Sequence, residues 1–139
     1  MTTTTTAAAT TAPDRTRTLR AVMNLDVAAC AVPGLALVEL AGPVADVLGI
    51  ENATPVTAAG AFLVVLAAEL ALLARAPARL LLRLTPWSAA GDAAWALGSA
   101  AVAAIAPLSG IGRLVVLAQG LAVAGMAVAK LRARRQALD

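Results

Sequence analysis

Histidine and tyrosine are absent from the chain, and there is one cysteine, one phenylalanine and two tryptophans in 139 residues. Without imidazole there is no histidine-held haem, no zinc or di-iron site built on imidazole, and no Ser-His or Cys-His nucleophile pair. No metal site and no cofactor is expected. With Cys30 alone, no intramolecular disulfide can form and the redox compartment stays unread. Charge is scarce as well: 14% of residues are Asp, Glu, Lys or Arg, against about 25% in soluble domains.

What fills the chain is apolar. Sixty per cent of residues are hydrophobic, mean hydropathy is +0.84, and the net charge is +3. The basic residues flank apolar runs instead of gathering on an aromatic-bearing soluble face, so they read as topology signals and not as a nucleic-acid surface. The fold class expected is all-α: a polytopic membrane protein, a bundle of four transmembrane helices with both termini in the cytoplasm, in the plasma membrane.

The spans are placed at about 21–41, 56–74, 87–106 and 114–130, each near the 20 residues a bilayer crossing needs. A Thr/Ala-rich leader over 1–18 lacks periodicity and reads as disordered. The transmembrane domain covers 19–131, and a basic tail covers 131–139. The first span carries Asn24, Asp26, Cys30, Pro33 and, at its far end, Glu39. Pro33 removes a mid-helix donor and predicts a kink on the face of Asp26, Cys30 and Leu37.

Residues 42–55 have the Gly, Pro, Asn and Asp content of a loop. In the run from Arg75 to Trp87, Arg75, Arg79 and Arg83 recur every four residues between leucines. That spacing predicts a short interfacial helix whose arginines contact lipid phosphate, with Trp87 at headgroup level. Small residues crowd the fourth span and predict close helix contact, and small faces on the third and fourth spans would allow a homodimer.

Four spans put ten of the eleven Lys and Arg residues on one side, leaving Arg113 on the other. The positive-inside rule makes the ten-residue side cytoplasmic.

The chemistry-bearing stretch is Trp87 to Ala101. Ser88, Asp92, Trp95 and Ser99 recur at i, i+4, i+7 and i+11, forming one polar stripe on an Ala-rich helix. A carboxylate in a span costs roughly 2.5–3.5 kcal/mol on insertion scales, so the stripe should face the bundle interior. Asp26 lies six residues past Arg20, Glu69 six before Arg75 and Asp92 five past Trp87, which puts all three about 8 to 9 Å into the cytoplasmic half.

The expectation is an acidic pocket in which Asp26, Glu69 and Asp92 converge without a counter-ion and share a proton. Asn24, Trp95, Ser88, Ser99 and Gln119 would line it as ligand contacts. Such a pocket suits a small lipophilic molecule. Asp92 or Asp26 would donate a proton to an alkene, epoxide or enol, Glu69 would accept one, and Trp95 would steady a cation by its ring face. That describes metal-independent cyclisation or isomerisation of an isoprenoid-like substrate. The alternatives are a small proton-coupled transporter of an organic cation and a non-catalytic accessory or scaffold protein whose polar groups are structural.

Leu25-Asp26, the stretch AGPVADVLGI from Ala41 to Ile50, Asp92-Ala93-Ala94-Trp95 and Ala118-Gln119 give the chain a layout that resembles small four-span bacterial integral membrane proteins, DoxX-like in size and plan, over about residues 18–135. The resemblance implies a four-helix membrane fold. It implies no activity, and Asp92 stands where an N-A-x-W-like run would have Asn.

Overall fold

A computed structural model describes residues 15–139. The protein is all-α, with helices α1 (Arg17–Glu39), α2 (Ala41–Leu48), α3 (Thr54–Arg75), α4 (Ala78–Ile105) and α5 (Gly110–Leu138). All but α2 are long and apolar enough to cross a membrane. The assigned elements among the described residues are all helices, as a four-helix membrane protein requires. Most of the leader reading falls on residues 1–14, outside the described residues; from Arg17 onward its expected range is already helix.

The helices pair two by two. α1 packs chiefly on α3 and α4 on α5; the pairs join mainly along α1 and α5, while α3 and α4 meet loosely. The α1–α3 pairing follows from a small-residue stripe. Val56, Gly60, Leu63, Ala67, Leu70 and Ala74 are the buried residues of α3, spaced three and four apart. A Cβ on Gly60 would sit 2.7 Å from the carbonyl oxygen of Gly34, so the missing side chain is what brings the two backbones together.

Two segments and one residue differ from the sequence reading. The expected loop begins with a helical segment, α2, which ends at Gly49 in the left-handed conformation (φ 76°) that glycine adopts without strain. Its last carbonyls are held by α5's cap residue: Ser109 N donates to Leu48 O and Ser109 Oγ to Val47 O. The expected interfacial helix is absent as a separate element, because the chain breaks at Ala76 and Pro77 and α4 then runs unbroken from Ala78 into the third span. Arg75 therefore belongs to α3, and Arg79 and Arg83 to α4. Pro33 also lies within an unbroken α1, on its exposed side.

Pro86, inside α4, has no N–H for the carbonyl four residues before it, Leu82. Arg134 near the end of α5 fills that vacancy, its Nε donating to Leu82 O at 2.8 Å. Arg20 makes a matching tie between α1 and the end of α3, donating to Ala74 O at 2.5 Å and Ala76 O at 2.9 Å. Arginines at the basic end thus complete helix termini and breaks whose carbonyls would otherwise lack donors.

This arrangement predicts a coupling. Arg134→Ala should cost about 1–2 kcal/mol in the native sequence by orphaning Leu82 O, and clearly less in a Pro86→Ala background, where residue 86 regains its own N–H. Unfolding of the four variants in detergent gives the interaction energy; equal costs in both backgrounds would show that Arg134 does not serve this carbonyl.

Candidate functional site

The buried residues of α1 are Leu19, Met23, Asp26, Cys30 and Gly34, and those of α4 include Leu81, Thr85, Ala89, Asp92 and Ala103. Each stripe has helical spacing, so a single acid is carried inward on an otherwise apolar face. On α5 the buried residues are Gly112, Gly120, Ala127, Lys130, Ala133 and Ala137. Here a lysine is carried inward by a face of small residues.

These three helices meet at Lys130. Its side chain is wholly buried, and its Nζ forms ion pairs with Asp26 Oδ2 and, at 2.6 Å, with Asp92 Oδ2. Nζ also donates to Ser88 Oγ at 2.8 Å. Asp26 and Asp92 are 4% and 7% exposed, so the group is enclosed by protein. Neither Oδ2 accepts a well-angled hydrogen bond, and the directed bond of the ammonium is the one to Ser88. Cys30, one helical turn beyond Asp26, is a buried free thiol beside the group.

Asp26 and Asp92 converge inward, and Ser88, expected as a ligand contact, joins them through Lys130. Two expectations need correction. The carboxylates do have a counter-ion: Lys130 lies inside α5, which continues eight residues further to Leu138, and not at the edge of a span ending at 130. Glu69 does not join the cluster. It lies two residues beyond Ala67, nearly opposite the small-residue stripe of α3, and is exposed. The face containing Phe62, Val65, Glu69 and Leu73 turns away from α1 because the Gly60 and Ala67 face allows the closer approach.

The anticipated ligand contacts separate as well. Asn24 is exposed. Trp95 is partly buried, stacks on Phe62 at 5.7 Å with an interplanar angle of 4°, and leaves its buried indole Nε1 without a hydrogen-bond partner. Ser99 Oγ and Gln119 Oε1 lie 3.3 Å apart and hydrogen-bond to each other, joining α4 to α5 farther from the basic end. Arg75, Arg79 and Arg83 are exposed, with Arg75 turned back onto Ala71 O at 3.2 Å.

Two hollows lie elsewhere. One is a groove of about 280 Å³ between α3 and α4, lined by Glu69, Leu72, Leu73, Ala76, Leu80 and Leu84. The other, at the opposite end, runs along residues 49–55 and 102–108. Neither touches Asp26, Asp92 or Lys130. Among the described residues, no group of three His, Cys, Asp or Glu side chains is arranged to hold a metal.

Comparison with protein-family models, characterised proteins and solved structures gives no match for this chain. The site is therefore read from its own chemistry: a positive charge held between two negative ones, on three helices, away from water.

Removing only the cation should be worse than removing all the charge. Lys130→Met leaves two facing carboxylates and is expected to lower stability in detergent by ~3 kcal/mol, as breaking a buried ion pair does. Adding Asp26→Asn and Asp92→Asn should restore most of that loss. Equal unfolding midpoints for the single and triple variants would contradict the ion-pair assignment.

Proposed function

We propose that the chain is a small proton-linked membrane transporter in which Asp26, Lys130 and Asp92 form the proton-binding group. One observation carries this reading, the charge count of the enclosed cluster. Two carboxylates against one ammonium leave one negative charge without compensation, and inside a bundle that charge is costly. A purely structural tie would be complete with one acid and one base. The third group makes the cluster neutral only when it also holds a proton, and a group that gains and loses a proton while bridging three helices can couple protonation to helix packing.

The distribution of contacts supports the same reading. The cluster lies where the α1–α3 pair meets the α4–α5 pair, so its charge state bears on the contact between the pairs. The enzymatic reading, acid-started cyclisation or isomerisation of an isoprenoid-like substrate, has less support. It needs substrate-sized space beside the acids, and the two hollows lie away from them. With ten of eleven basic residues at one end of the helices, we place that end and both termini in the cytoplasm of a plasma-membrane protein. The DoxX-like layout fits this plan and adds no activity to it.

The reading requires that the cluster exchange a proton. Infrared difference spectra of the full chain in liposomes, taken between about pH 5 and pH 9 across the ordinary range of proton-relay groups, should show a protonated-carboxyl C=O band. The band should disappear or shift in Asp26→Asn or Asp92→Asn. A spectrum without any band sensitive to either substitution would make the cluster a fixed structural tie.

A further inference from the structure

The cleft between α3 and α4 holds Glu69, a carboxylate that the bundle turns outward well inside an apolar span. Glu69 is exposed, six residues from the end of α3, and among the described residues it makes no ion pair. Around it are Leu72, Leu73 and Ala76 from the end of α3, and Leu80 and Leu84 from the start of α4. α3 and α4 run antiparallel and touch loosely, and the groove occupies the gap. At one end it meets the Ala76–Pro77 break. Seven residues back along α3, about 10 Å at 1.5 Å per residue, Phe62 stacks on Trp95 of α4 and ties the two helices together.

A carboxylate on the lipid-facing side of a helix is not stable as a bare charge. Arginine does not neutralise it: Arg75 folds back onto its own helix at Ala71 O. The lining otherwise is aliphatic. Its complement has a positive charge for the carboxylate and an apolar body for the leucines, in a volume of about 280 Å³ that opens sideways. A hydrophilic cation would lose its hydration against the leucines, and a neutral lipophile would leave Glu69 uncompensated.

The geometry points to Glu69 and its groove as a binding site for a small organic cation with an apolar body, a lipophilic amine or quaternary ammonium entering from the side of the bilayer. This deepens the proton-linked reading by naming the class of substrate, and it rests on that reading for its role in transport; the binding itself does not depend on it. The carboxylate supplies charge, the leucine walls select an apolar body, and the loose α3–α4 contact provides access without opening the main bundle.

Equilibrium binding of benzyltrimethylammonium to the purified full chain in nanodiscs tests the site, with neopentylbenzene as its neutral carbon analogue. The wild type should bind the cation saturably, and the neutral analogue at least tenfold more weakly. Glu69→Gln should weaken cation binding at least tenfold, Glu69→Asp should retain part of it, and Leu73→Trp should weaken it by filling the groove.

Reading this binding beside the infrared spectra separates the two proposals: normal wild-type cation binding with no protonated-carboxyl band from the triad would remove the proton-linked role and keep the site. No saturable binding by the wild type, or equal binding by wild type and Glu69→Gln, would overturn the site. A wild-type dimer that bound no cation and became monomeric in Glu69→Gln would also overturn it, assigning the groove to a second copy of the chain.

Discussion

A lysine ammonium enclosed between two aspartates is the constraint on which the rest of this bundle depends. Each of the three groups would be costly alone among apolar helices, and each is tolerable because the others are there. Their partnership sets the register of α1, α4 and α5 with respect to one another, since Asp26, Asp92 and Lys130 must arrive at one height. Apolar packing alone would not do this. Lipid is as apolar as the helices, and a helix sliding by a turn among leucines and alanines loses little.

Around this group the bundle uses two further devices. Small residues bring backbones together where the pairs form, as at Gly34 and Gly60. Arginines at the basic end close open backbone positions. Arg134 reaches the carbonyl that Pro86 leaves without a partner, and Arg20 reaches the last carbonyls of α3. The same basic residues that mark topology in the sequence therefore also tie α1 to α3 and α5 to α4. By contrast, α3 and α4 have little to join them beyond the Phe62–Trp95 stack, and it is there that a groove with an unpaired acid remains.

Much of the architecture was legible because membrane helices announce themselves by length and hydropathy. Asp92 faces inward for the reason its stripe gives: Ser88, Asp92, Trp95 and Ser99 share a helical face, and Ser88, Asp92 and Ser99 all meet partners on α5. Glu69 misled because its face is the more hydrophobic one. In a bilayer the bulky apolar face looks to lipid and the small one to protein, so the Gly60, Ala67 and Ala74 series was the better guide.

Lys130 was missed through the length of α5. Counted from a span ending near residue 130 it belongs to the tail; counted with Ala127, Ala133 and Ala137 at helical spacing, it sits on a buried stripe. The enclosed group then changes from acids sharing a proton to acids sharing a lysine. The most direct measurement of that claim is solid-state NMR on the chain in lipid, with the lysine Nζ and the aspartate carboxyl carbons isotopically labelled. Dipolar dephasing of Lys130 Nζ by both Asp26 and Asp92, each lost in the matching Asn variant, is the predicted result. Dephasing by only one of them, or by neither, would contradict it.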